Sequence, residues 1–286
     1  MSSSTVGLSA DNERLKKVLP DTWVVRDVNA SKSSTTLSTS TSTTTTSNAT
    51  VEIGGCRVDE LVARFGTPLY VYCEATMRNV CREYVTAFRD AYAESHVEFS
   101  SKALPHAHVA RLVASEGLCV DVVSGGELAV ALAGGVAPER LNFHGNNKTR
   151  VELSEALACG IGRITVDSFR ELDLLDELAA VRGARQRVLL RLSPSVDAHT
   201  HLLTTTGVLD SKFGFSIETG AAADAVAHAL RRCPHLELVG VHLHLGSPLF
   251  ELEPYVQAIE YTLAFVALMC AAHSDFTFRE FSPGGG

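Results

Sequence analysis

One lysine in the sequence, Lys102, stands where an amine could do carbonyl chemistry. It directly follows the short apolar run Val97–Ser100, which has the length and composition of a β-strand. At a strand end, neighbouring cations and partial desolvation favour the neutral amine, which is a nucleophile for carbonyl groups. Most lysines that follow a strand are ordinary surface residues. The chemistry of Lys102 therefore depends on what else reaches the same place.

A second candidate group consists of three consecutive glycines, Gly284, Gly285 and Gly286, which follow the apolar run Phe276–Phe281. Such glycines can simply form a turn, but they also let backbone N–H groups approach a phosphate closely. An amine nucleophile and a phosphate loop are the two things that the aldehyde and the phosphate of pyridoxal 5'-phosphate (PLP) need. The residues therefore predict PLP as cofactor.

Further polar side chains follow other apolar runs of the sequence. They are Asp121, Glu127, His144, Asp167, Arg191, His244 and Ser247. Two histidines at a spacing of two, His242 and His244, point to the same face of a strand and could bind zinc. Metal hydrolases on barrel folds typically carry this pair on the first strand, whereas here it lies on the sixth. We therefore expect no metal, and we expect the His244 ring to stack on a planar cofactor.

These polar residues need parallel strands whose carboxyl ends meet. Short apolar runs alternate with helical patterns from Val97 onward, which predicts a parallel sheet with crossover helices. The runs predict seven strands: 97–100, 118–123, 140–143, 163–166, 187–192, 236–243 and 276–281. The fold class is therefore α/β, as a PLP-binding (β/α)8 TIM-type barrel with seven of eight strands. The first strand is followed by no Gly-x-Gly-x-x-Gly, which disfavours a dinucleotide fold.

The composition limits the classes of function. Hydrophobic residues make up 45% of the 286, charged residues 20%, and the net charge is −8, without the basic stripe of a nucleic-acid binder. Seven scattered cysteines with no Cys-x-x-Cys pair indicate reduced thiols and a cytoplasmic protein, with a plastid as a minor alternative. The longest uninterrupted apolar stretch, Leu263–Ala272, is shorter than the ~20 residues of a membrane span.

The chain is expected to have three parts. Residues 1–50 include a run of Ser and Thr that cannot bury enough apolar surface to order itself, so this segment is predicted to be disordered. Residues 51–95 form an N-terminal strand and helix that lead into the barrel. Residues 96–286 are expected to form the partial PLP-binding barrel, which the family resemblance given next implies to be alanine-racemase-like.

Seven segments of the sequence form long and specific motifs: Phe65-Gly-Thr-Pro-Leu-Tyr-Val-Tyr72, Asp121-Val-Val-Ser-Gly-Gly-Glu-Leu128, Phe143-His-Gly-Asn-Asn-Lys148, Val196-Asp-Ala-His-Thr-His201, Ser211-Lys-Phe-Gly214, His242-Leu-His-Leu-Gly-Ser247 and Gly284–Gly286. Through these motifs the sequence resembles a known family, the diaminopimelate decarboxylases among the fold-type-III PLP enzymes. The resemblance implies PLP-dependent conversion of meso-2,6-diaminopimelate to L-lysine and CO2 in lysine biosynthesis, by a homodimer. An ornithine or arginine decarboxylase and a non-catalytic PLP-binding or partner-binding remnant remain alternatives.

The resemblance also implies roles for single residues. Lys102 would form the Schiff base with PLP, His244 would stack on the pyridine ring, and Ser247 with the three glycines would hold the phosphate. The residues that would line the cofactor pocket are Asp121, Glu127, His144 and Arg191. Lys102 and His244 are the predicted catalytic residues.

The chain departs from the family at a few positions. Ser100 and Leu104 stand where the family usually has Ala and Asn around the lysine, and Pro248 replaces a Gln. The family continues past the glycines with an eighth strand and a β-domain that carries substrate-binding residues. The sequence is therefore expected to be a fragment that is inactive alone.

Overall fold

The computed structural model describes residues 24–27, 49–194, 213–247 and 250–285. The chain divides into two compact units, residues 1–95 and residues 96–286. The predicted segments at 28–48, 195–212 and 248–249, with Val196–His201 and Ser211 among them, lie outside the described residues, as does Gly286.

The first unit combines a small antiparallel sheet with two helices. Its strands are β1 (Val24–Asp27), β2 (Ala49–Ile53) and β3 (Cys56–Arg57), paired in the order β1-β2-β3. Its helices are α1 (Val58–Phe65) and α2 (Glu74–Ala91). Strand β1 lies within the 1–50 segment for which disorder is predicted, and it pairs with β2. The disorder prediction for the rest of that segment falls outside the described residues.

The second unit alternates strands and helices as the sequence predicts. Its elements in chain order are β4 (Glu98–Ser100), α3 (Ala107–Ser115), β5 (Cys119–Val122), α4 (Gly125–Ala133), β6 (Leu141–Phe143), α5 (Arg150–Cys159), β7 (Arg163–Val166), α6 (Phe169–Arg182), β8 (Gln186–Ser193), β9 (Phe215–Ser216), α7 (Ala221–Arg232), β10 (Leu236–Leu243), α8 (Glu253–Ala272) and β11 (Glu280–Ser282). Four of the six helices described in this unit start at a side-chain cap, such as the capping box of Thr149 and Glu152 at α5.

Seven of these strands form one parallel sheet in the order β4-β5-β6-β7-β8-β10-β11, with the two-residue β9 added beside β8. The predicted α/β class and the incomplete barrel of seven strands are confirmed. Helices cover the outside of the sheet, so the strands are buried on both faces and read as apolar runs. In β10, Val239, Val241 and Leu243 are all almost fully buried.

The last strand begins later than predicted, at Glu280 rather than Phe276. The Phe276 amide donates to the carbonyl of His273 and so closes the turn after α8 instead of entering the ladder. Pairing with β10 starts where Glu280 lies opposite Gly240. A Cβ at Gly240 would lie 1.8 Å from the Glu280 carbonyl oxygen, so only glycine lets β11 approach this closely.

Contacts between strands that are not neighbours show that the sheet is curled. The ring of His144, directly after β6, and the ring of His242 on β10 lie 4.6 Å apart, although β7 and β8 separate these strands in the sheet. The Arg163 guanidinium on β7 likewise forms an ion pair with Glu280 on β11. Side chains from separated strands therefore meet across an interior, as they do in layers inside barrels of this kind.

Helix α8 is longer than the uninterrupted apolar stretch seen in the sequence. Glu253 and Glu260 are its only charged residues. With a mean hydropathy of 1.5, it is long and apolar enough for a membrane span by length and composition. In the fold it connects the adjacent parallel strands β10 and β11. Its buried residues Ala258, Thr262, Phe265 and Val266 follow helical spacing, which is typical of a crossover helix.

Candidate functional site

Lys102 lies in a single 3-10 turn, Ser101–Ala103, directly after β4, and its side chain is exposed. A neighbouring carboxylate holds this turn in place. The Glu127 carboxylate accepts hydrogen bonds from the Ser101 hydroxyl and, at 3.0 Å, from the Val123 amide. Ser124 in turn caps α4 by accepting from the Glu127 amide. Glu127 therefore ties the lysine turn to the end of β5.

Asp121 lies at the end of β5 beside this turn. Burial raises the pKa of its carboxyl to about 6, while a hydrogen bond from Ser100 and the charge of Lys102 act in the opposite direction. Its Oδ1 atom is buried and has no hydrogen-bond partner. A buried acceptor without a partner is unusual in a folded protein and marks a place where a ligand group can bind.

His144 follows β6 and is almost fully buried. Burial lowers the pKa of its imidazole to about 3, helped by the charges of Lys148 and Arg191, so the ring is neutral. Its Nε2 atom is buried without a hydrogen-bond partner and lies 4.0 Å from a carboxylate oxygen of Glu98. Burial and the nearby Asp121 raise the pKa of Glu98 to about 6.

Arg191 leaves β8 and faces the same end of the sheet. Its Nε atom lies 3.7 Å from the Asp167 carboxylate after β7, and its guanidinium stacks at 4.4 Å over the Phe213 ring. Burial lowers the pKa of Arg191, against the charge of Asp167. A cavity of about 280 Å³ opens here, lined among others by Arg191, Phe213, His244 and Gly246.

His244 follows β10 and lines that cavity. Burial lowers the pKa of its ring, and the charges of Arg191 and Lys102 lower it further. A hydrogen bond to the Gly285 backbone holds the ring against the loop after β11. Gly284 has a φ of +73°, and a Cβ there would lie 2.4 Å from the Leu243 carbonyl oxygen. The glycine loop therefore packs on the end of β10, where the Tyr255 hydroxyl donates to the Gly284 carbonyl.

The remaining predicted residues take different places. Ser247 is described and exposed after β10, whereas Gly286 is not described. His242 does not share the cavity with His244. It is buried, and its Nδ1 atom lies 2.8 Å from the Ser282 hydroxyl.

Sequence reasoning named Lys148 in a motif but missed its role. Its ammonium is buried, 2.7 Å from the Glu171 carboxylate, and it donates to the carbonyls of Gly145 and Thr165. Glu171 also accepts from the Asp167 amide. Lys148 therefore joins the loop after β6 to the loop after β7. A lysine and a carboxylate three residues into a helix were visible in the sequence, but their pairing was not.

The residues that could hold PLP fit that group. The Lys102 amine, the Arg191 cation, the neutral His144 and His244 rings and the loop of Gly284 and Gly285 lie at the carboxyl ends of the strands. Asp121 Oδ1 and His144 Nε2 are unpartnered polar atoms in the same region. A planar cofactor with an aldehyde, ring polar groups and a phosphate needs such partners.

Comparison with known proteins assigns the chain to a family. The profile described as "Pyridoxal-dependent decarboxylase, pyridoxal binding domain" matches residues 78–286. A diaminopimelate decarboxylase of Bacillus subtilis is 45% identical over 210 residues, which are 73% of this chain and 48% of that relative. One of Mycobacterium tuberculosis is 43% identical over 203 residues, which are 71% of this chain and 44% of that relative. The chain thus spans about half the length of the curated relatives it matches.

Solved structures agree with these relatives. Diaminopimelate decarboxylase from M. jannaschii, in complex with L-lysine, aligns with a TM-score of 0.73 and 31% identity, over 81% of this chain and 54% of that one. The enzyme from Helicobacter pylori, also with L-lysine, gives a TM-score of 0.70 and 30% identity, over 80% and 56%.

Proposed function

The chain belongs to the pyridoxal-dependent decarboxylases through their pyridoxal binding domain, and we propose that it binds PLP through Lys102 as the barrel of a diaminopimelate decarboxylase. The proposed reaction converts meso-2,6-diaminopimelate to L-lysine and CO2. The names of the relatives above, at up to 45% identity, support this choice of substrate over ornithine or arginine. We further propose a homodimer in the cytoplasm.

One observation carries the proposal for the cofactor. Of the two lysines in the described part of the chain, Lys148 is buried and bound to Glu171 and two carbonyls. Lys102 is exposed at the mouth of the sheet, and within the described ranges no carboxylate forms an ion pair with it. Lys102 is therefore the lysine whose amine can reach an aldehyde.

The side chains of the site would have different roles in binding the cofactor and the substrate. Glu127 positions the lysine turn through Ser101, and the neutral His244 ring offers a face to the pyridine ring. The backbone of Gly284 and Gly285 offers N–H groups to the phosphate, and Ser247 and Gly286 complete the predicted phosphate residues. Asp121, His144 and Arg191 offer polar groups to the ring edge and to the substrate.

When bound, PLP supplies an electron sink that stabilises the negative charge left as the substrate carboxylate departs as CO2. The protein's residues orient the substrate and exclude water. The neutral state of His144 and His244 keeps positive charge away from the ring face, since burial disfavours the imidazolium forms. Arg191 keeps its cation beside Asp167 at the edge of the cavity.

The cofactor proposal is tested by trapping. The 286-residue chain is incubated with PLP, reduced with borohydride and mapped by peptide mass spectrometry. We expect a pyridoxyl group on Lys102 at one equivalent, and we expect Lys102→Ala to lose it. Labelling that stays at one equivalent in Lys102→Ala would overturn the assignment. His108→Gln, a helix residue outside the strand ends, serves as a control variant that keeps the label.

The reaction is tested separately in a fusion protein. We fuse the barrel to the C-terminal half of the B. subtilis relative and measure CO2 release from meso-diaminopimelate. We expect turnover in the fusion that Lys102→Ala abolishes, and none in the 286-residue chain alone. A correctly folded fusion that traps PLP on Lys102 but releases no CO2 would contradict the decarboxylase proposal while leaving the cofactor proposal standing.

A further inference from the structure

A group of three potential metal ligands lies between two outer helices, apart from the residues of the candidate PLP site. Asp173 lies on α6, His228 lies on α7, and Cys233 follows the end of α7. Their carboxylate oxygen, ring nitrogen and sulfur all lie within 4.8 Å of one another. Three ligand atoms of three chemical types therefore converge on one point, although they come from positions up to 60 residues apart in the sequence.

The two more exposed ligands are already in contact. The Nε2 atom of His228 lies 2.6 Å from a carboxylate oxygen of Asp173. The His228 ring also packs edge-on against Phe169, with 5.6 Å between ring centroids, which limits its rotation. The Asp173 side chain is 64% exposed and can turn. The imidazole is therefore held in place while the carboxylate has freedom to adjust.

The third potential ligand, Cys233, lies on the buried side of the group. Cys233 is 1% exposed and belongs to no disulfide. Burial raises the pKa of its thiol, and the nearby carboxylates of Asp176 and Asp173 act in the same direction. Asp176 is itself fixed, since it accepts from the His235 amide at 2.8 Å and its other oxygen lies 3.3 Å from the His235 ring. Two carboxylates beside a sulfur form an environment that a cation would neutralise.

We propose that Asp173, His228 and Cys233 form a Zn²⁺ site that joins α6 to the end of α7. Thiolate, imidazole and carboxylate are the ligand types that zinc takes in proteins. Tetrahedral zinc with ordinary bond lengths separates its ligand atoms by about 3.3–3.8 Å, and the three ligand atoms here lie within 4.8 Å of one another. Because the Asp173 oxygen and His228 Nε2 lie 2.6 Å apart, the exposed Asp173 carboxylate turns away from the ring to admit the ion.

The proposed zinc site has four ligands. Three protein ligands and one water on the exposed side fill a tetrahedron. Binding deprotonates the Cys233 thiol, and its proton leaves to solvent. Asp176 stays outside the coordination sphere, where it holds His235 and keeps the surroundings negative. The site clamps two crossover helices and requires nothing of the PLP chemistry, so it stands independently of the proposed function.

The test uses Co²⁺ as a spectroscopic substitute for zinc on the tag-free, metal-stripped 286-residue chain. We expect one equivalent of Co²⁺ with a sulfur-to-cobalt charge-transfer band, and displacement by Zn²⁺. Cys233→Ser should remove the charge-transfer band. Asp173→Asn and His228→Gln, which change surface groups and leave the core intact, should each weaken binding at least tenfold. Cys159→Ser is the matched control, because its thiol donates to the Ala156 carbonyl on another helix.

A second measurement covers the case in which Cys233→Ser does not fold. Zn²⁺ should raise the thermal unfolding midpoint of the wild-type chain and of Cys159→Ser, but not that of Asp173→Asn. The proposal is overturned if the wild-type chain binds no stoichiometric metal. It is overturned equally if Asp173→Asn and His228→Gln bind as tightly as wild type, since the metal would then sit on other residues.

Discussion

Two lysines of the second unit show how the surroundings of one side chain decide what it can do. Lys102 ends a strand on a turn held by Glu127 and projects from the protein, whereas Lys148 is enclosed by Glu171 and backbone carbonyls. The role of Lys102 could be predicted from the sequence because a lysine after a short apolar run marks a strand end. The role of Lys148 could not, because its partner lies 23 residues away on the next helix.

We predict that Lys148→Met lowers the free energy of unfolding by about 3–5 kcal/mol, because it leaves the buried Glu171 carboxylate without its cation. Urea denaturation followed by circular dichroism measures this. Lys148→Met combined with Glu171→Gln should recover part of the loss. Arg150→Met, which removes an exposed ion pair with Glu177, is the control and should leave the unfolding midpoint near wild type. An equal loss in both single variants would contradict the prediction.

A second prediction concerns pH and the partly buried Glu98. Its pKa is 4.5 in the unfolded chain and about 6 in the folded protein, chiefly through burial. Below pH 4.5 both states are protonated and the carboxyl costs nothing. Stability is lost as the pH rises from 4.5 to 6, and the full cost remains above 6. This cost is at most about 2 kcal/mol, at about 1.4 kcal/mol per pH unit.

Glu98→Gln should therefore stabilise the protein at pH 8 and leave it unchanged at pH 4. Glutamine keeps an acceptor for the Asn142 amide, which donates to Glu98 in the native protein. Denaturation curves at the two pH values measure the difference. The same stabilisation at both values would mean that packing, and not ionisation, is responsible.

At the scale of elements, the parallel strands and crossover helices were predictable and the irregular pieces were not. Strands Arg163–Val166 and Leu236–Leu243 and helix Gly125–Ala133 have the predicted bounds, because each is an apolar or periodic run between clear stop signals. The two-residue strand β9 is too short to show such a pattern. Its residues Phe215 and Ser216 pair only with the last two residues of β8. The group of Asp173, His228 and Cys233 was likewise not predictable from the sequence, because the packing of α6 and α7 brings these residues together.

The contact between β10 and β11 yields a prediction of its own. Gly240→Ala should lower the free energy of unfolding by roughly 3 kcal/mol or more, the upper range for overpacking, because the added Cβ meets the Glu280 carbonyl. Hydrogen exchange should speed up at residues 280–282. Gly126→Ala, whose Cβ would have ordinary contact distances in α4, should be neutral or stabilising by up to about 1 kcal/mol. Unchanged exchange in β11 would refute the close approach.

At the scale of the whole second unit, side chains that meet across the curled sheet connect strands that are not neighbours in it. Arg163 and Glu280 join β7 to β11, and His144 meets His242 between β6 and β10. The sequence indicates a barrel through its regular alternation, but it does not reveal which charges meet inside, since that depends on curvature and stagger. The interior ion pair and the glycine loop together keep β11 on the sheet.

We predict that the Arg163–Glu280 pair is energetically coupled. In a double-mutant cycle with Arg163→Met and Glu280→Gln, the coupling free energy should reach at least about 1 kcal/mol, since both side chains are mostly buried. Chemical denaturation of the four proteins measures it. Additive losses would show that the two side chains contribute independently, and the contact would then contribute little to holding the sheet curled.

The same ion pair affects how the chain folds during its synthesis. Its two residues are 117 positions apart. A ribosome adding about 5–20 residues per second needs roughly 6–23 s to go from Arg163 to Glu280. Throughout that time, Arg163 and the strands around it cannot contact Glu280 on β11. Chaperones that bind emerging apolar strands therefore have a window of seconds in which to act, and slowing translation after residue 243 should increase aggregation of the nascent chain.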